Sequence, residues 1–166
     1  FKHQDYFITE LRRRQLREAK KKHLIELDHG DHVGTVGAVA LDEKGNVAAA
    51  TSTGGMANKH YGRVSDSSII GAGTYADNRT CAVSGTGTGD QFIQNTFAFD
   101  LHAQMLYAQK SLSEASQSVL DKLLEVNGNG GLIAIDSQGQ CVLPFNTHGM
   151  FRGFLTREGE SQVRIF

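Results

Sequence analysis

The sequence contains few of the residues that mark disulfide-rich, proline-rich or strongly charged proteins. Among 166 residues there are one proline and two cysteines, and the formal net charge is −1 at pH 7. No apolar run reaches the roughly eighteen residues that a membrane-spanning helix needs. The small net charge excludes a general attraction to nucleic acid or to an anionic membrane surface. The length is sufficient for one domain with a core of its own.

Metal ligands in a usable spacing are also absent. Cys81 and Cys141 cannot form a four-cysteine site, and the seven histidines show neither the His-x-x-x-His nor the His-Glu-x-x-His pattern. We therefore expect no metal, no cofactor and two ordinary core thiols in a reduced, cytoplasmic protein. A disulfide between the two cysteines stays open, as does a metal-binding role for His29 and His32 in place of a solvated tail.

The first part of the chain is basic and has a helical pattern. Residues 6–22 predict a helix with Thr9 as its N-cap, and this helix carries the run Arg12-Arg13-Arg14. The cluster is either a nucleic-acid patch or a solvated helix face, and the lack of interleaved aromatic residues favours the solvated face. Because the chain starts at Phe1 without a signal-peptide pattern, we expect a processed or partial chain.

The remaining pattern has the order strands, helices, strands. The predicted strands span residues 35–41, 47–52, 68–73, 80–84, 132–135, 142–145 and 162–166. The predicted helices span residues 90–109 and a segment that begins at Ser111 or Ser113. Short turns join neighbouring strands, so largely antiparallel sheets are expected. The predicted class is α+β, with two sheets covered by helices in a layered sandwich.

One threonine stands between a polar leader and the first predicted strand. Thr35 follows Gly34, and cutting the bond between them would give Thr35 a free α-amine that can act as the base for its own hydroxyl nucleophile. The alternative is an ordinary β-branched residue at the start of a strand. The local pattern leaves both interpretations open.

A glycine-rich turn separates a predicted strand from a predicted helix. In Gly85-Thr86-Gly87-Thr88-Gly89, backbone N–H groups can converge on an anion near the helix N-terminus. One interpretation is a nucleotide-phosphate loop, although neither of the common phosphate-loop patterns is complete here. The other interpretations are an oxyanion hole for acyl transfer and a structural tight turn.

Arg63 and Asp66 lie three residues apart in a polar loop. A guanidinium binds a carboxylate bidentately, and a carboxylate binds an ammonium group. The two side chains could therefore hold the head group of an α-amino acid. A surface salt bridge between them is the alternative.

In combination, these segments resemble the plant-type L-asparaginase / isoaspartyl peptidase family of N-terminal-nucleophile hydrolases. The resemblance runs in family order through residues 34–42, 45–56, 62–67, 71–76, 86–89 and 144–150. It covers nearly everything from Thr35 to about Phe154. Each motif alone is weak, and their order along the chain makes the resemblance specific.

The resemblance implies the roles of the catalytic residues. The precursor would cleave itself between Gly34 and Thr35, and Thr35 would then be the nucleophile with its free α-amine as general base. Thr53 would hydrogen-bond and orient the nucleophile. Thr86 and Gly87 would form the oxyanion hole.

The resemblance also implies how substrate is held. Arg63 would bind the α-carboxylate and Asp66 the α-ammonium of the substrate, with Thr86, Gly87 and Gly89 in contact with it. The chain has Ser65-Asp66-Ser67-Ser68 where the family often has Gly-Asp-Ser-Pro, which keeps the aspartate.

The implied architecture is a four-layer αββα sandwich. Residues 1–34 would be the C-terminal remnant of an α-subunit, as a helix and a flexible linker, and residues 35–166 would be the β-subunit, together forming part of one domain. A dimer of αβ heterodimers would be the working unit. The sodium-binding loop of relatives belongs to the part of the α-subunit that this chain lacks.

The implied activity is hydrolysis of β-aspartyl dipeptides and L-asparagine through an acyl-enzyme on Thr35, with release of L-aspartate. No partner in the form of nucleic acid or membrane is expected. A glycosylasparaginase is the first alternative, because Asp90 stands where many asparaginase relatives have Glu and glycosylasparaginases have Asp. Further alternatives are a non-catalytic anion- or nucleotide-binding module and a fragment that folds only with a partner chain.

Overall fold

A computed structural model describes residues 3–22 and 34–166 of the chain. In these ranges the α-helices are Glu10–Lys22 (α1), Gly89–Gln94 (α2), Phe97–Ala108 (α3) and Leu112–Glu125 (α4). The strands are Thr35–Leu41 (β1), Val47–Thr53 (β2), Thr74–Ala76 (β3), Cys81–Gly87 (β4), Gly130–Asp136 (β5), Cys141–Val142 (β6), Arg152–Leu155 (β7) and Ser161–Arg164 (β8). Short 3-10 turns cover Gln4–Phe7 and Asp66–Ser68.

The strands of the described ranges form three antiparallel sheets. β1 pairs with β2, β7 pairs with β8, and the largest sheet has the order β3-β4-β5-β6. The β1–β2 hairpin packs on β4, and α3 and α4 also contact the large sheet. The predicted α+β class with antiparallel sheets is therefore confirmed.

Alternate residues of β4 face two different neighbours. Cys81 and Val83 belong to a buried cluster with residues of the helices, whereas Ser84 contacts the β1–β2 hairpin. Since successive strand residues point to opposite faces, β4 lies between the helices and the hairpin. The β1–β2 hairpin, the large sheet and the helices α2, α3 and α4 thus form three layers. The four-layer arrangement stays a prediction.

The hydrophobic core lies between the large sheet and the helices α2, α3 and α4. Its fully buried members include Phe92, Phe97, Leu101, Leu112, Leu123 and Leu132. Ser111 caps α4, because its hydroxyl accepts the N–H of Glu114 and the Glu114 carboxylate accepts the N–H of Ser111. This reciprocal capping box fixes where the helix begins.

The contact between β1 and β4 is unusually close at Gly37. A Cβ placed on Gly37 would lie 2.8 Å from the Cβ of Ser84 and still nearer to its hydroxyl oxygen. The hydroxyl oxygens of Ser84 and Thr51 are 2.7 Å apart, and the Thr51 hydroxyl also donates to the carbonyl of Gly73 at 3.3 Å. The absent side chain of Gly37 therefore lets the hairpin approach the large sheet closely enough for these bonds to form.

Several predicted elements differ in the structure. Helix α1 begins at Glu10 and not at residue 6, and the strand predicted over residues 142–145 is Cys141–Val142. Residues 68–73 are a turn and not a strand, because Gly71 has φ +93° and Ala72 donates to the carbonyl of Ile69. The carbonyls of Gly71 and Ala72 accept the N–H groups of Phe99 and Ala98, so this turn satisfies the start of α3. The predicted helix over residues 90–109 is two helices, separated where Thr96 has φ +45°.

His102 is a buried titratable group in the helix layer. It is 1 % exposed, and its Nδ1 lies 2.6 Å from the hydroxyl of Thr80. Burial lowers its pKa, the Asp77 charge opposes this shift and the Arg79 charge adds to it. His102 is accordingly held in its neutral form as a structural side chain.

Gly37→Ala in the full-length protein is expected to lower the free energy of unfolding by about 1–3 kcal/mol, because the added methyl group overpacks the contact with Ser84. Urea unfolding measures this change. Gly54→Ala is the matched control, since a Cβ there would meet nothing within 4 Å. Equal destabilisation by the two substitutions would contradict the role assigned to Gly37.

The stability should also fall as the pH decreases below about 6.5, the ordinary pKa of histidine. Below that pH the unfolded chain takes up a proton at His102, while His102 of the folded chain stays neutral until its lower pKa is reached. The contribution of His102 to stability is therefore fully present above about pH 6.5 and decreases below it. One such group contributes a slope of at most about 1.4 kcal/mol per pH unit. Urea unfolding from pH 7.5 to 5.5 should give a smaller slope for His102→Asn than for the unmodified protein, and identical slopes would refute this account.

Candidate active site

Thr35 and Thr53 form the centre of the candidate site. They are paired residues of the β1–β2 hairpin, and the Thr35 hydroxyl donates to the Thr53 Oγ1 at 3.2 Å. The same Thr53 oxygen accepts the N–H of Gly55 at 3.0 Å. Antiparallel pairing therefore places the two hydroxyls side by side, and the bond from Gly55 holds Thr53 in place. This arrangement fits an orienting role for Thr53.

A cavity of about 490 Å³ adjoins this pair. Gly34, Thr35 and Thr86 all line it. Its other lining residues come from helix α1, strands β1, β4 and β5, and the segment between β6 and β7: Arg12, Val36, Gly37, Ser84, Gly85, Gly130, Gly131, Leu132, Ile133, Thr147, Gly149, Met150 and Phe151. The predicted nucleophile, the predicted cleavage position and one predicted oxyanion donor thus share a cavity.

Thr86 has a buried hydroxyl without a hydrogen-bond partner among the described residues. Leaving such a group unpaired costs roughly 1–3 kcal/mol. Gly87 follows it at the end of β4, where a Cβ would lie 2.6 Å from the Phe92 ring and 2.8 Å from the Cα of Gly130. Only a glycine fits this close packing. The unpaired hydroxyl is available to donate to a group bound in the cavity.

Arg63, Asp66 and Gly89 meet at one point. A Cβ placed on Gly89 would lie 2.8 Å from the Asp66 Oδ1 and 3.0 Å from the Arg63 Nη2. The helix α2 therefore begins against both charged side chains only because its first residue lacks a side chain. The Asp90 carboxylate lies 3.9 Å from the Arg63 guanidinium on the more exposed side.

Asp66 is a buried carboxylate. It is 5 % exposed, and its Oδ2 has no hydrogen-bond partner among the described residues. Burial raises its pKa, and backbone N–H groups together with the Arg63 charge partly oppose the shift. A buried, partly unpaired carboxylate of this kind favours a bound cation such as an ammonium group.

Arg63 opens onto a second cavity of about 810 Å³. This cavity shares Gly34 and Arg12 with the first one. Its basic lining residues are Arg12, Lys20, Lys59, His60 and Arg63, and no Asp or Glu of the described ranges lines it. Gly55 links Arg63 to the threonine pair, because its N–H donates to Thr53 and a Cβ on it would lie 3.4 Å from the Arg63 Nη1. The two cavities are thus neighbours with a strongly basic outer part.

The structure accordingly brings the predicted residues into two adjoining groups. Gly34, Thr35, Thr53, Thr86 and Gly87 surround or adjoin the first cavity, and the contacts around Gly89 join Arg63 and Asp66 beside the second. The basic lining of the second cavity was not predicted from the sequence, because Arg12 and Lys20 were interpreted as part of a solvated helix face. His29, His32 and most of the polar leader lie outside the described residues.

Within residues 3–22 and 34–166, the side chains that commonly bind metal ions are not clustered. No group of three His, Cys, Asp or Glu side chains there could hold a metal ion. Cys81 is buried as predicted, whereas the prediction of a core position for Cys141 is wrong, because Cys141 is exposed; both are free thiols. No helix of these ranges is long and apolar enough to cross a lipid bilayer.

Comparisons with known proteins identify the family of the chain. The family model described as asparaginase matches residues 2–165. The chain is 52 % identical over 158 residues to the isoaspartyl peptidase of Escherichia coli, covering 90 % of the chain and 49 % of that relative. It is 49 % identical over 158 residues to the isoaspartyl peptidase of Salmonella typhimurium, covering 90 % of the chain and 50 % of the relative.

A vertebrate relative gives the same result. The isoaspartyl peptidase/L-asparaginase of Homo sapiens is 42 % identical over 145 residues, which cover 86 % of the chain and 47 % of the relative. The chain therefore spans about half the length of the curated relatives that it matches. By the family match over nearly its whole length and by these identities, the chain belongs to the asparaginase family.

Proposed function

We propose that the protein containing this chain is a self-cleaving amidohydrolase that acts on β-aspartyl dipeptides and L-asparagine. The observation that carries the proposal is the Thr35–Thr53 hydroxyl pair beside the unpaired Thr86 hydroxyl, in a cavity that Gly34 also lines. The names of the relatives, isoaspartyl peptidase and L-asparaginase, support the substrate class.

Maturation comes first. The Thr35 hydroxyl attacks the carbonyl carbon of Gly34, the bond from that carbon to the Thr35 nitrogen breaks, and the resulting ester is hydrolysed by water. The products are a carboxylate on Gly34 and a free α-amine on Thr35. With an ordinary pKa of about 7.7–8.0, this amine is a suitable general base near neutral pH.

Substrate hydrolysis then uses the same threonine. The α-amine takes the Thr35 hydroxyl proton as Oγ1 attacks the side-chain carbonyl of the substrate, and Thr86 and Gly87 donate to the oxyanion. The intermediate collapses with loss of ammonia or an amino acid, which takes up the proton. Water attacks the remaining β-aspartyl ester by the reverse proton path and releases L-aspartate. Thr53 orients the Thr35 hydroxyl in both halves.

The substrate head group is bound by opposite charges. Arg63 binds the α-carboxylate bidentately, and the buried Asp66 carboxylate binds the α-ammonium, which supplies its missing partner. Because Gly89 has no side chain, there is space for Arg63 and Asp66 to contact the substrate. The basic outer cavity fits a dipeptide better than asparagine, since the dipeptide carries a second carboxylate.

The proposed working unit is an assembly of two kinds of subunit. Residues 1–34 end an α-subunit, residues 35–166 form the β-subunit, and the two complete a four-layer αββα sandwich in a cytoplasmic dimer of αβ heterodimers. No cofactor takes part. Any structural sodium site is expected in the longer α-subunit of the family, and no residue of this chain is proposed to bind it.

Thr35→Ala in the full-length protein should abolish both self-cleavage and turnover, because it removes the hydroxyl that attacks in each step. Denaturing mass spectrometry detects the new chain that begins at residue 35, and release of L-aspartate measures turnover. Thr156→Ala, in the turn between β7 and β8, is the matched control and should behave like the unmodified protein. Cleavage or turnover by the Thr35→Ala variant would refute the proposed nucleophile.

Arg63→Gln should raise the KM for a β-aspartyl dipeptide by about 10–100-fold, because a charge-assisted hydrogen bond contributes roughly 1.5–3 kcal/mol. Steady-state kinetics with β-aspartyl-leucine gives the value. Arg79→Gln is the control, as Arg79 pairs with Asp77 at the surface. An unchanged KM in Arg63→Gln would exclude Arg63 from substrate binding.

A substrate comparison separates the proposal from its nearest rival. The full-length protein is expected to hydrolyse β-aspartyl-leucine and L-asparagine faster than an N-glycosylated asparagine. The relatives' names favour this order, whereas Asp90 is the one position that favours the glycosylasparaginase. Faster hydrolysis of the glycosylated substrate would overturn the assignment.

A further inference from the structure

We propose that Asn146 is a positioning residue that fixes the oxyanion donors at Thr86 and Gly87. The inference rests on the proposed function, because it concerns the geometry of that same site. Asn146 is not among the described residues that line the first cavity, although its neighbour Thr147 is. Its effect on catalysis must therefore pass through other residues.

Three hydrogen bonds tie Asn146 to one short backbone segment. Its Oδ1 accepts the N–H of Gly130 at 2.7 Å, and its Nδ2 donates to the carbonyl of Gly128 at 3.1 Å. Its own backbone N–H donates to the carbonyl of Gly130 at 2.9 Å. The side-chain amide thus spans the turn at residues 128–130 and uses both its donor and its acceptor there. A side chain of another shape cannot make this pair of contacts.

The segment bound by Asn146 is in direct contact with the proposed oxyanion donors, Thr86 and Gly87. Gly130 pairs with Gly87 and Gly131 with Thr86 across the β4–β5 ladder. A Cβ on Gly130 would lie 2.9 Å from the Cα of Gly87 and closer still to the carbonyl oxygen of Thr86. Because the two backbones touch without side chains between them, a displacement of Gly130 is passed on to Thr86 and Gly87.

A second connection joins the same turn to the residue after Gly87. The carbonyl of Asn129 accepts the N–H of Thr88 at 2.8 Å, and the N–H of Asn129 donates to the Thr88 hydroxyl at 3.2 Å. The turn is therefore bound by Asn146 on one side and by Thr88 on the other. The positions of Thr86 and Gly87 are therefore fixed by contacts with β5 and by the bonds of Thr88, which precedes α2.

This arrangement has a specific consequence for catalysis. An oxyanion hole stabilises the transition state only while its donors stay within hydrogen-bond reach of the developing charge. The aspartyl head group is bound elsewhere, by Arg63 and Asp66. Loosening the 128–130 turn should consequently lower kcat and leave KM nearly unchanged.

The kinetic test compares three variants of the full-length protein with β-aspartyl-leucine as substrate. Asn146→Ala removes both side-chain bonds, and Asn146→Asp keeps the size but loses the donor to Gly128. We expect kcat to fall about 10–100-fold in both, with KM within about threefold of the unmodified value, since small misplacements of catalytic groups have effects of this size. Asn127→Asp is the matched control, because Asn127 is an exposed residue two positions after the end of α4, and it should keep the normal kcat.

Unchanged kcat in both Asn146 variants would overturn the inference, and so would a loss that appears in KM instead of kcat. Asn146→Asp keeps the test valid where Asn146→Ala does not fold. If the unmodified protein hydrolyses neither β-aspartyl-leucine nor asparagine, the proposed function fails, and amide hydrogen exchange then decides the inference separately. Faster exchange at residues 86–88 in Asn146→Asp than in Asn127→Asp would support the positioning role, and equal exchange would refute it.

Discussion

The candidate site depends on how closely strand β1 can approach strand β4. Gly37 and Ser84 form the point of contact. The two strands could not lie this close if residue 37 carried a side chain. Thr35 lies two residues before Gly37 and Thr86 two residues after Ser84, so each shares a face with its contact residue. One close contact therefore places the proposed nucleophile and the proposed oxyanion donor at the same cavity. A register change of one residue in either strand would turn its threonine to the opposite face.

Two polar groups at the site are left without partners in the described structure. The Thr86 hydroxyl and one oxygen of the Asp66 carboxylate are both buried and unpaired, which is unfavourable in the free protein. In the proposed reaction, a β-aspartyl substrate would bring a developing oxyanion to the Thr86 hydroxyl and an ammonium group to the Asp66 carboxylate. The site is thus already arranged for a ligand with both groups, and glycines at positions 87 and 89 keep the space for it.

Much of the fold follows from local sequence patterns. The β1–β2 hairpin was predictable, because a turn-rich segment separates two short apolar runs, and Asp42 closes that turn by accepting the N–H groups of Lys44 and Asn46. The beginning of α4 was predictable from Ser111, with Glu114 three residues later. The turn at residues 68–73 was not, because its conformation is set by bonds to the distant start of α3. The β7 strand also escaped prediction, since it has only four residues and half of them are exposed.

The site shows the same division between local and distant information. The order of the motifs along the chain predicted Thr35, Thr53, Arg63, Asp66 and Thr86 as site residues through the family resemblance. It could not identify Asn146 or the role of Gly37, because an asparagine in a loop and a glycine in a strand have many uses. Their significance comes from contacts with residues that lie far away in the sequence.

The most direct test of the account is to trap the acyl-enzyme. The full-length protein is mixed with β-aspartyl-leucine, stopped with acid during turnover, digested and analysed by peptide mass spectrometry. The account predicts one aspartyl group on the peptide that begins at Thr35, attached as an ester and lost on mild alkaline treatment. An aspartyl ester on a different residue, or steady turnover by protein whose Thr35 is still joined to Gly34, would contradict it.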